Sequence, residues 1–232
     1  MSTTLSIVMP CLNEAAGIAA TLERLQPLRA RGVEVVVVDG GSSDDTMRLA
    51  TPLADRAIAA TRGRAWQMNA GAVVARGGVL LFLHADCRLP AHADHLIIDG
   101  LAASGRRWGR FDVAFAGDQP RMRMVACTMN LRSRLTGVAT GDQGIFVARE
   151  LFLAHDGFPL IALMEDVALS KRLKMQHTPL CLTERITTSA RRWEQRGVLR
   201  TILLMWRLRF AYFAGVDPAK LASRYDSVRS RA

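Results

Sequence analysis

Lysines and uninterrupted apolar runs are scarce in this chain of 232 residues, in which only three of the 31 basic residues are lysines. Residues 198–216 are apolar but contain Arg200, Arg207 and Arg209, so this stretch is too charged for a membrane span. The four cysteines stand far apart without the spacing of a zinc or redox motif, and we expect reduced thiols in a cytoplasmic protein. No basic segment precedes the first apolar run, which Pro10 interrupts, so we expect no signal peptide.

Three nucleotide-binding signatures are also absent. After its first predicted strand the chain reads PCLNEAAG, where a dinucleotide-binding fold requires a Gly-x-Gly-x-x-Gly turn. The Gly-Lys-Ser/Thr sequence of a P-loop does not occur. A methyltransferase would carry its glycine-rich loop after the first strand, whereas VVDGGSS follows the second. The sequence therefore excludes a dinucleotide-binding fold, a P-loop protein and a methyltransferase.

The charge that is present is distributed unevenly. The net charge is +10, with 12 basic and 12 acidic residues in residues 1–120 but 19 and 9 in residues 121–232. This excess favours an anionic partner: a phosphate-bearing substrate, an anionic membrane surface or nucleic acid. A compositional preference for arginine explains it equally well. Because no nucleic-acid recognition motif is present, we expect no nucleic acid partner.

Strand and helix patterns alternate through the first half of the chain. The predicted strands LSIVMP, VEVVVVD and VLLFL are each followed by helical spacing or a helix cap. This alternation predicts an α/β fold with a mostly parallel sheet to about residue 115. The second half is less regular, with predicted helices at 121–137 and 163–175 and a strand at 144–149. Without an internal repeat or a low-complexity linker, we expect one domain over residues 1–232.

Polar residues follow three of the predicted strands. In an open parallel sheet, ligands bind at the carboxyl ends of the strands. The polar segments there are Pro10-Cys11-Leu12-Asn13-Glu14, Asp39-Gly40-Gly41-Ser42 and His84-Ala85-Asp86. Because this edge is rich in carboxylates, a phosphate group would bind there only through a divalent cation.

Four segments, in this order, resemble the family 2 inverting glycosyltransferases of the GT-A fold. They are SIVMPCLNEAAGIAATLERL, EVVVVDGGSSDDT, GRAWQMNAGAVVARGGVLLFLHAD and MEDVALSKRL, and the match runs from Ser6 to Lys174. The forms QMNAG, FLHAD and GDQG are most similar to a small bacterial subgroup of arsenosugar biosynthesis. The resemblance implies a Rossmann-like, mostly parallel sheet with helices on both faces. It also implies a nucleotide-sugar-binding half (1–115), an acceptor half (116–190) and a basic amphipathic C-terminal segment (191–232).

The resemblance implies roles for the first two strand ends. Pro10 and Glu14 correspond to residues that hold the base and ribose of the donor. Asp39 corresponds to the aspartate that accepts the imide N–H of uracil, a donor group that cytosine lacks, which favours a uridine diphosphate sugar. Gly40 stands where the family has a second aspartate, so one polar contact is missing.

Arg64 and Asn69 lie in the helix that precedes the VLLFL strand. By the same resemblance they reach the diphosphate or the ribose. A solvated helix face accounts for both residues equally well.

His84-Ala85-Asp86 stands where the family has its Asp-x-Asp metal and ribose signature. Asp86 corresponds to the direct ligand of Mg²⁺ or Mn²⁺, and His84 replaces the first aspartate. A neutral imidazole can bond the ribose or coordinate Mn²⁺, which tolerates nitrogen better than Mg²⁺ does. A structural role for a histidine at a strand end is the alternative.

Glu165-Asp166 matches the catalytic Glu-Asp pair of the family at the start of a helix. Asp166 is then the general base that accepts the proton of the acceptor hydroxyl, and the reference pKa of about 3.9 leaves an aspartate ionised at neutral pH. Acidic residues that stabilise a helix N-terminus are the alternative explanation for the pair.

Two further segments correspond to the acceptor side. Asp142 and Gln143 of TGDQG are candidates to bond acceptor hydroxyls, although a plain turn explains this segment equally well. SARRW resembles the Gln-x-x-Arg-Trp region of processive members and makes Arg192 and Trp193 candidates near the diphosphate and acceptor channel. Thr188 or Ser189 replaces the glutamine, which argues against processive synthesis.

The stretch from Val198 to Val216 combines aromatic residues with arginines, and Arg200 and Arg207 share one helical face. One interpretation is an amphipathic helix on an anionic membrane surface, which would make the protein peripheral on the inner membrane face. Packing against the domain, or against a second subunit in a homodimer, is the other.

The sequence thus predicts a metal-dependent inverting glycosyltransferase. Its donor is a nucleotide sugar, favoured as a uridine diphosphate sugar, and its acceptor is a hydroxyl of a small or lipid-linked molecule. One alternative is a nucleotidyltransferase of similar fold, although the glycine-rich basic loop of that class is missing after the first strand. The other is a non-catalytic nucleotide-sugar or membrane-docking module.

Overall fold

The computed structural model describes residues 4–117, 119–190, 193 and 197–229. Eight strands are present among them. They are β1 (Leu5–Cys11), β2 (Glu34–Asp39), β3 (Arg56–Ala59), β4 (Val79–Phe82), β5 (Cys87–Arg88), β6 (Trp108–Phe115), β7 (Phe146–Ala148) and β8 (Leu180–Thr188).

Ten α-helices connect or follow these strands in the described part of the chain. They are α1 (Ile18–Glu23), α2 (Gln26–Arg29), α3 (Thr46–Ala50), α4 (Arg64–Val74), α5 (Ala93–Ser104), α6 (Pro120–Thr136), α7 (Arg149–Ala154), α8 (Glu165–Lys174), α9 (Val198–Phe213) and α10 (Pro218–Arg229). Two short 3-10 helices, Thr51–Leu53 and Gly141–Gln143, complete the set.

All eight strands form one sheet in the order β3-β2-β1-β4-β7-β6-β8-β5. The pairs within β3-β2-β1-β4 are parallel, whereas β7 is antiparallel to both β4 and β6. The chain leaves β1 for β2 on one side and returns to β4 on the other, so strand order reverses between β1 and β4. Ligands of open α/β sheets bind at the carboxyl ends of strands beside such a reversal.

The central strands are buried on both faces because consecutive side chains point to opposite sides. Ile7, Val35 and Leu81 belong to one core cluster, which α1 and α5 cover. Val8, Val36 and Leu80 belong to the other, which α4 and α8 cover. Helices thus lie on both faces of the sheet, as the fold-class prediction requires, and that prediction is confirmed.

The second half of the chain is more regular than its sequence suggests. The α6, β7 and α8 elements were predicted, but the long strands β6 and β8 were not. These two strands pair in parallel over seven residue pairs, with a register shift between Phe111 and Asp112. The same sheet therefore extends through both halves of residues 1–232.

The C-terminal helices α9 and α10 pack beside the start of α8. Leu208 and Leu221 are buried against Leu163, Met164 and Val167 in a third, smaller cluster. Among the described residues, none of the helices has the length and apolar character needed to cross a bilayer.

Gln67 of α4 holds the carboxyl ends of β1 and β2 together. Its buried amide Nε2 donates 2.8 Å hydrogen bonds to the carbonyl oxygens of both Cys11 and Val38. A Cβ atom on Gly40 would lie 3.0 Å from the Gln67 amide, so a side chain at this position, where the family pattern has an aspartate, would require that amide to shift by a few tenths of an ångström.

We expect Gln67→Met to lower the free energy of unfolding by about 1–3 kcal/mol, because it keeps the side-chain volume but removes two buried hydrogen bonds. Urea denaturation followed by circular dichroism measures this change. Gln176→Met is the matched control, since Gln176 is exposed, and it should change stability by less than about 0.5 kcal/mol. Equal stability of the two variants would contradict the role of Gln67.

Candidate active site

A cavity of about 300 Å³ lies where β4 ends and α8 begins. Its polar lining includes four residues that the sequence singled out: Arg64, His84, Asp142 and Asp166. Trp193 also lines it, and its ring packs edge-on against Phe115 with centroids 5.4 Å apart. The structure thus brings side chains from the VLLFLHAD, TGDQG and MEDVALS segments to one place.

Gly141 joins the two sides of this cavity. Its backbone N–H donates a 2.8 Å hydrogen bond to Oδ2 of Asp166. A Cβ atom on Gly141 would lie 2.6 Å from both Cε1 and Nε2 of His84, so the missing side chain makes room for the imidazole. Gly141 therefore contacts both the candidate general base, Asp166, and the candidate metal ligand, His84.

The segment around Gly141 is held by its own capping interactions. Thr140 and Gln143 form a capping box around the 3-10 helix, and Gln143 is completely buried. Asp142, in contrast, faces the cavity, with Oδ1 lying 3.4 Å from Nδ1 of His84. Of the two predicted acceptor-side residues in this segment, only Asp142 is in contact with the cavity.

Asp166 is half-buried and is the second residue of α8. This helix begins directly after Met164, which has a left-handed φ of 71°. Oδ1 of Asp166 accepts a 2.7 Å hydrogen bond from the N–H of Val167, and Oδ2 accepts the bond from Gly141. These N–H groups fix the orientation of the carboxylate at the helix N-terminus, where the helix dipole favours negative charge.

Glu165 lies against the protein interior and is paired with Arg64. Its Oε1 lies 2.9 Å from Nε of Arg64. The other oxygen, Oε2, is buried without a hydrogen-bond donor among the described residues. Burial raises the pKa of Glu165 despite the opposing charge of Arg64, and Asp166 adds to the rise. The two acidic neighbours thus have different environments.

His84, Asp86 and Cys87 form a candidate metal site, because a ligand atom from each lies within 4.8 Å of the others. Burial raises the pKa of the Cys87 thiol well above its usual value, followed in effect by the charge of Asp86. The sulfur is therefore protonated at neutral pH, and the donors suited to Mg²⁺ or Mn²⁺ are the imidazole and the exposed carboxylate. These two residues fit a divalent cation that retains other oxygen ligands.

Asp39 ends β2 in a buried position beside the 40–42 loop. Oδ2 of Asp39 accepts hydrogen bonds from the N–H groups of Gly41 and Ser42, at 2.9 and 2.8 Å. Oδ1 accepts from the Ser42 hydroxyl and lies 3.8 Å from the thiol of Cys11. The carboxylate therefore shapes the loop in which it lies.

Pro10 and Glu14 lie on the neighbouring strand end, as the sequence predicted. Pro10 is buried in β1 and is paired with Val38 of β2. Glu14 donates its backbone N–H to Oγ1 of Thr46 at 2.8 Å and is half-buried. Together with Asp39, these residues lie outside the lining of the cavity.

Other predicted site residues make structural contacts or lie outside the described residues. The Asn69 amide bonds both the N–H and the carbonyl of Phe158, at 2.9 and 2.8 Å, and does not line the cavity. Ala85 is buried, and its carbonyl accepts a 2.8 Å bond from the Thr21 hydroxyl. Arg192 lies outside the described residues.

The structure adds two arginines that the sequence analysis did not consider as site residues. Arg209 of α9 lines the cavity. Thr128 and Met129 of α6 also line the cavity, and Arg132 lies one turn further along that helix. The sequence showed that one helical face carries Val125, Thr128, Met129 and Arg132. Nothing in the sequence indicated which part of the protein this face would contact.

The family model for "Glycosyl transferase family 2" matches residues 6–150. Two curated relatives are similar over shorter segments. The succinoglycan biosynthesis protein ExoA of Rhizobium meliloti is 50% identical over 54 residues, which are 23% of this chain and 16% of that protein. A PGL/p-HBAD biosynthesis glycosyltransferase of Mycobacterium bovis is 39% identical over 88 residues, 35% of this chain and 34% of the relative. The matches thus span about a third or less of these relatives' lengths.

Solved structures share the fold at low identity. TarS residues 1–349 of S. aureus, solved in complex with UDP-GlcNAc, has a TM-score of 0.65 at 16% identity, covering 80% of this chain and 58% of that one. The mannosyltransferase PcManGT of Pyrobaculum calidifontis, solved with GDP-Man and Mn²⁺, has a TM-score of 0.64 at 22% identity, covering 91% and 61%. These two structures bear out the predicted fold class.

We expect Gly141→Ala to weaken Mn²⁺ binding in the presence of UDP by about 10- to 100-fold, the usual effect of displacing a group that orients a metal ligand. The added methyl group forces the His84 ring or the 140–143 segment to move. Electron paramagnetic resonance of the free ion measures the affinity. Gly17→Ala is the control, because a Cβ there has nothing within 4 Å. Unchanged Mn²⁺ affinity in Gly141→Ala would contradict His84 as a ligand.

Proposed function

The chain belongs to glycosyl transferase family 2, and from this premise we propose that it is a glycosyltransferase that moves a sugar with inversion from a uridine diphosphate sugar to an acceptor hydroxyl, with the help of Mg²⁺ or Mn²⁺. The observation that carries the proposal is the single cavity that His84 and Asp166 line from opposite sides of Gly141. One side is suited to a diphosphate with its cation and the other to proton transfer.

The donor binds along the ends of β1, β2 and β4. Asp39 accepts the imide N–H of uracil, and Pro10 and Glu14 contact the base and ribose. Support comes from their adjacent positions at the carboxyl ends of paired strands, next to the reversal of strand order. Residues 1–115 are thus the nucleotide-sugar-binding half, residues 116–190 the acceptor half, and residues 191–232 the basic helical segment.

Arg64 contributes a positive charge near the diphosphate. Its side chain is 43% exposed, and its guanidinium is anchored by Glu165. Burial by itself would lower the pKa of Arg64. The nearby carboxylates of Glu165, Asp166 and Asp142 outweigh that effect, so the pKa of Arg64 is raised. Asn69, which bonds the Phe158 backbone, supports the same helix from behind.

His84 and Asp86 hold the divalent cation, and the turn closed by the 3.0 Å hydrogen bond from the Cys87 N–H to the His84 carbonyl brings their ligand atoms within 4.8 Å of one another. The cation offsets negative charge on the leaving nucleoside diphosphate. Asp142, at 3.4 Å from Nδ1 of His84, orients the imidazole as a carboxylate commonly does behind a metal-binding histidine.

Asp166 accepts the proton of the acceptor hydroxyl as that oxygen attacks the anomeric carbon. The N–H groups of Gly141 and Val167 hold its carboxylate in the cavity, which keeps the base in reach of an acceptor. Glu165 acts by positioning Arg64. Gln143 shapes the acceptor side through its capping box, and Trp193 completes that side. The acceptor-side role of Arg192, which lies outside the described residues, stays a prediction.

The acceptor is a small or lipid-linked hydroxyl compound. The relatives bear names of succinoglycan and of PGL/p-HBAD biosynthesis, both of which are compatible with such acceptors. The finer similarity of QMNAG, FLHAD and GDQG to the arsenosugar subgroup stays a prediction. A thermal-shift screen of nucleotide sugars with and without Mn²⁺ identifies the donor, because a bound donor stabilises the folded state by mass action.

We further propose that α9 attaches the protein to an anionic membrane, on the inner face in the cytoplasm. Leu199, Leu203, Trp206, Phe210 and Phe213 recur at spacings of three and four residues, and each is between 56% and 77% exposed. These five residues, called here the α9 stripe, form an apolar surface of the kind that marks an interaction site.

Charge favours a lipid surface over a second copy of the chain. Arg200 and Arg207 flank the α9 stripe on its exposed side, and α9 contains no acidic residue. Two such helices packed together would bring arginines of like charge near one another without compensation. An anionic bilayer accepts both the apolar stripe and the arginines.

Asp166→Asn tests the catalytic proposal. We expect transfer and donor hydrolysis to fall by about 10²- to 10⁴-fold, because the amide cannot accept the proton, while UDP and Mn²⁺ affinities stay unchanged. Release of UDP from the donor found in the screen is the measurement. Asp156→Asn is the control, since Asp156 is exposed and its φ of 56° suits asparagine.

The two rival functions give different results in this assay. A binding module would bind the nucleotide equally in both versions and turn over in neither. A nucleotidyltransferase would release pyrophosphate from UTP and a sugar 1-phosphate rather than UDP from a sugar donor.

Substituting Trp206 and Phe210 together by serine tests the α9 stripe. We expect the affinity for phosphatidylglycerol vesicles to fall by tenfold or more, since burial of each large apolar side chain contributes about 1.5–3 kcal/mol. Vesicle co-sedimentation measures it, with phosphatidylcholine vesicles as the neutral comparison. Trp66→Ser, at an exposed tryptophan on α4, is the control. A dimer that dissociates in the double variant, without vesicle binding by the wild type, would assign the stripe to a homodimer.

A further inference from the structure

Arg132 is half-buried beside the cavity, and two of its guanidinium nitrogens are buried without a partner among the described residues. Its Nε and Nη2 atoms are inaccessible to solvent and have no hydrogen-bond acceptor anywhere in the described chain. A buried donor without an acceptor is costly, because water solvates it in the unfolded state. An unpaired guanidinium therefore suggests a partner that the polypeptide itself does not provide.

The neighbouring buried arginine has an ionic partner within the fold. Arg110 is fully buried, and although its Nε also lacks an acceptor among the described residues, its guanidinium pairs with the carboxylate of Asp112 and bonds the Asn130 carbonyl at 3.3 Å. Asp112 in turn receives Arg134 at 2.8 Å. The described residues thus supply a carboxylate for Arg110 but none for Arg132, although both arginines lie on facing elements, β6 and α6.

Arg132 and Arg209, called here the arginine pair, are close enough to affect one another. Burial, together with the charges of Arg209 and Arg110, lowers the pKa of Arg132 to about 10 against the opposing effect of Asp166. Burial also lowers the pKa of Arg209, which Asp166 and Asp142 oppose. Two positive charges therefore lie together in a partly dehydrated place beside the proposed base.

The same cavity has an extended apolar wall. It consists of Met124 and Met129 of α6 and of Ile202, Met205 and Trp206 of α9. Met124 and Trp206 are also exposed at the outer surface, so the wall leads from the α9 stripe towards Asp166. Flexible methionine side chains suit an apolar group of adaptable shape.

We propose that the arginine pair binds an oxyanion, a phosphate or a carboxylate, carried by the acceptor close to its nucleophilic oxygen, while an apolar portion of the same acceptor lies along the apolar wall. This rests on the proposed function, in which Asp166 faces the acceptor. An anionic acceptor beside the Asp166 carboxylate would be repelled, and the arginine pair offsets that repulsion.

The donor diphosphate is the competing occupant of the arginine pair. It is already served by Arg64 and by the cation at His84 and Asp86 in the proposed function. The arginine pair lies instead on α6 and α9, the elements that form the apolar wall. Its position on those elements favours the acceptor.

The test measures binding by calorimetry to the full chain loaded with UDP and Mn²⁺. The probes are n-octyl phosphate, n-octanol and inorganic phosphate, which separate the anion from the apolar chain. We expect octyl phosphate to bind at least tenfold more tightly than either of the others. Arg132→Met should lower octyl phosphate affinity about tenfold or more, since charge-assisted hydrogen bonds are lost. Its affinities for octanol and UDP should not change.

Matched variants sharpen this comparison. Arg121→Met changes an exposed arginine of the same helix and should leave all affinities as in the wild type. Arg132→Lys keeps the charge but not the planar fork and should give an intermediate affinity. Because Arg132 lacks partners in the described protein, Arg132→Met should also raise Tm, whereas Arg121→Met should not.

Three results would overturn the proposal. They are octyl phosphate binding no tighter than octanol, an Arg132→Met variant with unchanged octyl phosphate affinity, and a loss of UDP affinity in that variant equal to its loss of octyl phosphate affinity. The last would assign the arginine pair to the donor diphosphate. Binding of octyl phosphate through Arg132 in a protein that transfers no sugar would support the oxyanion site and contradict only the proposed function.

Discussion

The contact of Gly141 with two opposing groups sets the geometry of the whole site. Its N–H holds the Asp166 carboxylate at 2.8 Å, and the space left by its missing side chain contains the His84 imidazole. Because both non-covalent contacts are made by one residue, Gly141 constrains the separation of the proposed metal side from the proposed base. The capping box of Thr140 and Gln143 anchors this unit, so the short 3-10 helix serves as a rigid spacer.

The two departures from the family pattern have different physical meanings. Gly40, in place of an aspartate, lets the Gln67 amide pack closely against this position while it bonds the Cys11 and Val38 carbonyls. His84 replaces another aspartate but still lies in the cavity with Asp142 beside it. The first departure concerns how two strand ends are joined, and the second concerns which atom faces a cation. Neither departure removes Asp166 from the cavity, which argues against a non-catalytic binding module.

The basic excess in the second half of the sequence acquires a location in the structure. Arg200 and Arg207 border the α9 stripe, and Arg209 of the same helix turns inward to the cavity that Arg132 approaches from α6. One helix therefore connects a surface suited to anionic lipid with an interior suited to an oxyanion. An acceptor that combines an apolar chain with an anionic group would contact both along a single route. This gives the proposed membrane attachment and the proposed acceptor chemistry a common physical basis.

The sequence by itself determined the local features: buried strands at β1, β2 and β4, polar residues at their carboxyl ends, and Glu165-Asp166 at a helix start. It also supplied the motif order that indicated the family. Only the tertiary structure decided that β6 and β8 pair to extend the sheet, that Gln143 and Asn69 are used in hydrogen bonds within the fold, and that two nitrogens of Arg132 lack a partner among the described residues. Motifs and periodicity report on neighbours along the chain. Whether a side chain is satisfied or left for a ligand depends on contacts between residues far apart in sequence, which form only when the sheet and helices pack.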